Sequence, residues 1–263
     1  GALNQLFIAT ELILLQGINF QGLRLALVEE LEAHLHPQAQ LRVISALQDK
    51  QQEFNNQFIL TTHSTTLASK IRLNNLIICQ DGKSFSLAQG YTGLENDDYD
   101  FLERFLDATK ANLFFAKGVI LVEGEAEKIL VPAIAEILGR DLHKYGVSIV
   151  NVGSKALLRY ARIFIRKPEG TLPIKVAIIT DLDIEQINPE KGVIKSKKRK
   201  VTGFVPNAFE ESVKLKQEYD SADRRIKLFH SNLWTLEYDI ASGEFVHLVN
   251  YATYIAQLSK SRS

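Results

Sequence analysis

The chain has 263 residues, 46% of them hydrophobic, and its 31 basic and 31 acidic side chains leave no formal net charge. That is enough apolar material for one large core or two moderate ones. A single cysteine, Cys79, excludes an internal disulfide and any cysteine-rich zinc module. No apolar run reaches the roughly eighteen residues of a membrane span, and no signal peptide opens the chain, so the piece reads as soluble and cytoplasmic. The absence of methionine, where average composition would supply about five, and of an initiator leads to the expectation of a fragment.

In chain order, Gly1 to Leu15 places apolar residues at helical spacing after a glycine. Leu23 to Val28 is an apolar run ending in Glu29 and Glu30, the pattern of a buried parallel strand that delivers acids to a sheet edge. A helix is predicted from about Pro37 to Glu53, then a strand from Phe58 that ends at His63. A strand pair follows between Asn75 and Leu87 around Asp81-Gly82. Cys79, inside the run Leu76-Ile-Ile-Cys, reads as a small buried hydrophobe. Asp97 to Lys110 has aromatic and leucine positions at helical spacing and bridges to a second domain. From Lys117 the pattern alternates, with strands over 118–123, 147–152 and 175–181 and helices over 125–138 and 155–166. Such alternation predicts parallel strands joined by right-handed crossovers.

Two strand ends of the second half carry the chemistry. Val119–Val122 runs into Glu123, Gly124, Glu125 and Glu127, and Val176–Thr180 runs into Asp181 and Asp183. Open α/β sheets bind ligands at the carboxyl ends of their strands, so Glu123, Glu127, Asp181 and Asp183 converge as oxygen ligands for Mg²⁺ or Mn²⁺. One acid at one strand end is commonly only a solvated turn residue or a helix N-cap. Two such ends in order, a helix, a strand and a helix apart, favour the metal reading. His63 alone reads as a satisfied core histidine; its place after an apolar strand, with the Glu29–Glu30 pair, favours a functional role instead.

Charge is divided between the halves. Residues 1–117 carry 9 basic and 13 acidic side chains, and residues 118–263 carry 22 and 18. The positive excess lies with the acid cluster, where a phosphate backbone needs it. Lys191, Lys195, Lys197, Lys198, Arg199 and Lys200 form a run without an acid, read either as a solvated loop or as a DNA-backbone contact.

These segments resemble two known families in tandem. The Glu29–Glu30 strand and the His63 strand resemble the C-terminal half of an ABC-type ATPase. By that resemblance Glu29 helps hold Mg²⁺, Glu30 polarises the water that attacks the γ-phosphate, Ala33 to His36 stands in the D-loop and His63 is the switch histidine. The family's usual first acid is Asp, so Glu29 lengthens that ligand arm by one methylene. No Gly-x-x-x-x-Gly-Lys-Ser/Thr loop occurs in the chain, so ATP hydrolysis is expected only in the full-length protein.

The two later strand ends resemble a Toprim domain, with Glu123, Asp181 and Asp183 as its metal acids. An ABC-type half followed by a Toprim half is the arrangement of the OLD (overcoming lysogenization defect) family of nucleases, which the joining segment Thr109 to Glu125 also resembles. Trp234-Thr-Leu-Glu-Tyr-Asp-Ile240 is similar to the family segment whose Glu joins a second metal site, a role that falls on Glu237 with Glu127. Gly153 matches the glycine turn after the second Toprim strand and is read as scaffold. Lys260, in a tail without a matching motif, receives no role.

The resemblance implies an α/β fold, with part of an ABC-type ATPase domain over 1–110 and a Toprim nuclease domain over 111–263 that carries a basic insertion near 190–203. It implies two Mg²⁺ or Mn²⁺ ions, one on Glu123, Asp181 and Asp183 and the other on Glu127 and Glu237, serving hydrolysis of DNA. ATP is the second cofactor, and the partners implied are DNA, further copies of the chain through the ATPase domain, and a helicase in phage defence or DNA processing. The alternative keeps the fold and drops the cutting: a DNA-binding ATPase or clamp whose Toprim part is a scaffold.

Overall fold

A computed structural model describes residues 25–181 except 34, 55–56, 154–155 and 168–170, and beyond them 187–188, 192–193, 213, 216–217, 220, 225–231, 235–242, 247, 250–252 and 254. The opening helix, Asp183, the six basic residues of the run at 191–200, Trp234 and Lys260 lie outside the described residues. The chain divides into two compact units, one of Gly1–Ala116 with Ile165–Glu169 and the other of Lys117–Phe164 with Gly170–Ser263.

In the first unit, β1 (Leu25–Val28) and β2 (Gln57–Leu60) pair in parallel with Val28 opposite Leu60, and α1 (Pro37–Phe54) connects them. Side chains alternate across a strand, and here one face is used: Val28, Phe58 and Leu60 pack against Leu31, Ile44, Leu47 and Leu67. Leu27 and Ile59, on the opposite face, are 72% and 57% exposed. The first strand is therefore only half-buried, which corrects the expectation of a fully buried one. A short helix, α2 (Thr65–Ala68), follows the His63 loop and is capped by Ser64, whose Oγ accepts from Leu67 N.

The hairpin of β3 (Ile77–Gln80) and β4 (Lys83–Ser86) turns at Asp81 (φ 52°) and Gly82 (φ 71°), the left-handed pair that a two-residue turn matching strand twist requires. Its period of two sends Ile78 inward and Cys79 outward. Cys79 is exposed, contrary to expectation, because a two-stranded hairpin has one uncovered face. A third helix, α3 (Asn96–Phe105), opens with a capping box between Glu95 and Asp98.

The segment Ile165–Glu169 returns to this first unit. Thr92 bridges Arg166 in antiparallel fashion, Gly93 N donates to Ile165 O (3.0 Å), and Lys167 N donates to Tyr91 O (3.1 Å). The Arg166 guanidinium lies 5.9 Å from the Phe85 ring centre and 6.0 Å from that of Tyr91, and it donates to Ser86 O.

The second unit is built on a four-stranded sheet in the order β10 (Ile226–His230), β7 (Lys175–Thr180), β5 (Gly118–Val122), β6 (Val147–Asn151), all parallel. The two central strands are apolar runs because both their faces are covered; Val119, Leu121, Val122, Val176 and Ile178 are all buried. Helix α4 (Glu125–Ile137) packs on β6, and α5 (Leu157–Arg162) packs on β5 and β7. Strands β8 (Ile187–Asn188) and β9 (Gly192–Val193) form a short antiparallel pair, and α6 (Leu236–Ser242) follows β10. Among the described residues no helix is long and apolar enough to cross a membrane.

Candidate functional site

Because all four strands of the second sheet run the same way, their carboxyl ends share one edge. In spatial order it presents His230, then Thr180 and Asp181, then Glu123 after Val122, then Asn151. The Thr180 hydroxyl donates to Glu123 Oε1, tying the ends of β7 and β5 together. Asn151 Nδ2 donates to Glu125 Oε1 (2.7 Å), and Asn151 Oδ1 accepts from Gly153 N (2.8 Å), whose φ of 68° suits glycine.

Asp181 stands at the centre of this edge. Its Oδ1 accepts from Leu236 N (2.9 Å), the first N–H of α6, so Glu237 on the same turn is drawn to the same place. Burial, followed by the like charges of Glu127, Glu237 and Glu123, pushes the Asp181 carboxyl up to about 6 against the lowering effect of the Leu236 N–H. Four of the five expected metal acids thus lie in one electrostatic field, and Asp183 lies outside the described residues.

Glu127 is 5% exposed, and its Oε2 is buried with no hydrogen-bond partner. A buried carboxylate oxygen without a donor is costly unless a cation compensates it. It lies over Gly124, the N-cap of α4, so closely that a Cβ there would stand 2.8 Å from Oε2. Gly124 therefore makes room for the acid to fold back over its own helix start. The donor set is all carboxylate oxygen with one hydroxyl behind it, the chemistry that suits Mg²⁺ or Mn²⁺. Among the described residues, however, no group of three or more His, Cys, Asp or Glu side chains already encloses an ion position.

The acids of the first unit sit in a different setting. Glu29, Glu30 and His63 are exposed at the carboxyl ends of β1 and β2. Glu30 has φ 48°, a left-handed conformation uncommon outside glycine, and its N donates to Thr61 Oγ1 (3.2 Å). Thr61 N donates to Val28 O (2.9 Å), continuing the ladder one residue past the strands. Sequence reasoning gave Glu32 no role of its own, yet its carboxylate spans from this turn to the His63 loop.

Comparison with known proteins bears on both units. Residues 114–183 match the family described as overcoming lysogenization defect protein-like, TOPRIM domain, and residues 5–68 match an AAA ATPase domain. The Endonuclease GajA of Bacillus cereus (strain HuB5-5) is 28% identical over 234 residues, which cover 78% of this chain and 32% of that protein. The OLD nuclease of Thermus scotoductus (strain ATCC 700910 / SA-01) is 28% identical over 142 residues, 49% of this chain and 26% of that protein. The chain thus spans a minor part of the curated relatives it matches. A solved structure of the C-terminal region of the Xanthomonas campestris pv. campestris OLD protein is 31% identical, with 51% of this chain and 60% of that one covered and a TM-score of 0.33.

Proposed function

We propose that this chain, which carries part of an AAA-type ATPase domain followed by a Toprim domain of the OLD-like family, is the catalytic portion of a divalent-metal-dependent DNA endonuclease linked to nucleotide hydrolysis. The observation that carries the reading is the shared edge of the parallel strands, where Thr180 ties Glu123 beside Asp181 and one buried Glu127 oxygen is left without a donor among the described residues. The names of the relatives, an endonuclease and a nuclease, agree with it.

In this reading Glu123, Asp181 and Asp183 hold one Mg²⁺ or Mn²⁺ ion, and Glu127 with Glu237 holds another. Divalent cations so held supply charge neutralisation at the scissile phosphate and an acidified water. The protein's own part is positional. Thr180 fixes the Glu123 carboxylate, the Leu236 N–H fixes Asp181, and Gly124 admits Glu127 to the buried edge. Burial withdraws water from Asp181, which strengthens every electrostatic contact made there. The lysine-rich run at 191–200 supplies contacts to the DNA backbone without sequence preference.

In the first unit Glu29 helps to hold the nucleotide's Mg²⁺, Glu30 orients the attacking water and His63 faces the γ-phosphate, with the phosphate-binding loop supplied from outside this chain and the site closed by another copy of it. The same reading takes the activity to be cytoplasmic and to serve phage defence or DNA processing with a helicase partner, as the family resemblance implies. The alternative is a DNA-binding ATPase or clamp with an inert Toprim scaffold.

Plasmid cleavage with Mg²⁺ or Mn²⁺ separates the two. Glu123→Ala and Asp181→Ala abolish cleavage while circular dichroism stays native, and calorimetric titration of the wild type finds two ions. Cleavage by both variants at the wild-type rate, or a protein that binds no divalent ion, rejects the nuclease reading.

A further inference from the structure

The Glu29–Glu30 turn and the His63 loop leave the same edge side by side, because β1 and β2 are parallel neighbours. Parallel pairing alone does not hold a loop beyond the last ladder bond. Besides the bond from Glu30 N to Thr61 Oγ1, the link is made by Glu32, whose two oxygens take different donors from the other loop: Oε2 accepts from Thr62 Oγ1 (2.7 Å) and Oε1 from His63 N (2.5 Å).

The chain of contacts continues. Thr62 Oγ1 accepts from Ser64 N (2.9 Å), Ser64 Oγ donates to Gln40 Oε1 (2.6 Å), and the buried Gln40 returns its Nε2 to Leu35 O (2.8 Å). Both ends of this network are therefore anchored on the segment that follows Glu30. Burial acts to raise the Glu32 carboxyl, yet the His63 N–H and the Thr62 hydroxyl outweigh it and hold the group below the ordinary carboxylate range. Glu32 is thus a charged acceptor, and charge-assisted bonds of this kind are about twice as strong as neutral ones.

We infer that Glu32 is a positioning residue for nucleotide hydrolysis: it grips the backbone of His63 so that the exposed imidazole keeps a fixed place relative to Glu30. The role rests on the nucleotide reading of the first unit given above. It makes the Glu30 turn and the histidine one mechanical piece, so that a displacement of the segment after Glu30 also displaces His63.

The test is a double-mutant cycle on ATP turnover by the full-length protein, phosphate-binding loop included, paired with amide hydrogen exchange at His63 in the chain described here. Glu32→Ala lowers kcat about tenfold to a hundredfold with KM for ATP changed less than about twofold, the scale of a catalytic group misplaced by about an ångström. Glu32→Gln, which keeps one acceptor oxygen for His63 N, recovers part of that loss. Because Glu32 acts through His63, the Glu32→Ala, His63→Ala double variant is no slower than His63→Ala alone. In Glu32→Ala the His63 amide exchanges faster while the Leu67 amide, held by Ser64, does not.

Additive losses in the cycle, a raised KM with unchanged kcat, or an unaltered His63 exchange rate overturn the positioning role. Should Glu32→Ala fail to fold, Glu32→Gln with Thr62→Val carries the same cycle. A wild-type protein that turns over no ATP overturns the nucleotide reading and this role with it. Exchange at His63 that still responds to Glu32 would then show that the contact exists and the reading failed.

Discussion

The two acid-bearing edges of this chain share a sequence signature and have opposite electrostatics. At the first, Glu32 has donors on both oxygens and is held below its usual range; at the second, Asp181 has one donor and three carboxylate neighbours and is raised to about 6. The cause is what surrounds the strand ends. A two-stranded sheet covered on one face leaves its loops in water, where hydrogen bonds settle the charge. A four-stranded sheet covered on both faces draws Asp181 and Glu127 toward a low-dielectric edge, where burial and like charge raise the Asp181 carboxyl. At the first edge the His63 loop satisfies Glu32, and at the second one buried Glu127 oxygen has no donor among the described residues.

The sharpest way to break this comparison is to remove an acid of the second edge. Asp181→Ala lowers metal-dependent plasmid cleavage by at least about a thousandfold, the scale of several kcal/mol of charge stabilisation, and Glu123→Ala does the same. Equal residual activity in the two variants indicates that the acids work as one unit.

A subtler change leaves every acid in place. Gly124→Ala puts a methyl group where the Glu127 carboxylate lies, and that flexible side chain must swing away. Cleavage should fall about tenfold to a hundredfold, as for a displaced ligand shell, with thermal stability nearly unchanged. A large loss of stability would mean that Gly124 serves the fold instead.

The pH dependence of stability distinguishes the edges by sign. Asp181 binds its proton more tightly folded than unfolded, so in chelator-treated protein its ionisation costs stability at neutral pH, and that cost disappears as pH falls from about 6 to the unfolded value of 3.8. Glu32 is the reverse, contributing stability above its unfolded value of 4.5 and losing it as pH falls below. Thermal melts from pH 7 to pH 5 should therefore rise in the wild type relative to Asp181→Asn. Glu32→Gln should leave that slope unchanged and flatten only the more acidic limb.

The smallest expected effect is that of nucleotide. This chain contains no phosphate-binding loop, so it should not turn over ATP, and adding ATP should not change its DNA cleavage rate. A cleavage rate that depends on ATP would show that the two edges are not independent.

Much of this was legible from residues alone, for identifiable reasons. The strands over 118–122 and 175–180 stand out because a strand covered on both faces must be apolar throughout, and the acids that end them mark the edge. The Asp81-Gly82 turn is readable because its backbone angles suit very few residues. Glu237 became visible only through a family resemblance, since nothing in Trp234 to Ile240 says that Leu236 will meet a residue 55 positions earlier. The burial of Glu127 depends on a glycine three residues before it, a contact with no periodicity to reveal it. The helix expected over 155–166 ends at Arg162, because Ile165 and Arg166 are taken up by backbone bonds to the region of Thr92. The run Leu76-Ile-Ile-Cys suggests two-sided burial, but the hairpin has one inner face and Cys79 lies on the outer one.

The return of Ile165–Glu169 to the first unit has a consequence for anyone who would take the molecule apart. The chain crosses the boundary between its units three times, so no single cut divides it cleanly. A fragment beginning at Lys117 would carry Arg166 away from Phe85, Tyr91 and Ser86, and the fragment ending at Ala116 would keep a hairpin stripped of its arginine and of the strand partner of Thr92. Limited proteolysis between 116 and 117 should therefore leave two pieces that still purify together. For the same reason a chimaera that exchanges the second unit for another must be matched at residues 165–167 to the hairpin it will meet, which makes this short stretch the first unit's inheritance although it is encoded inside its neighbour.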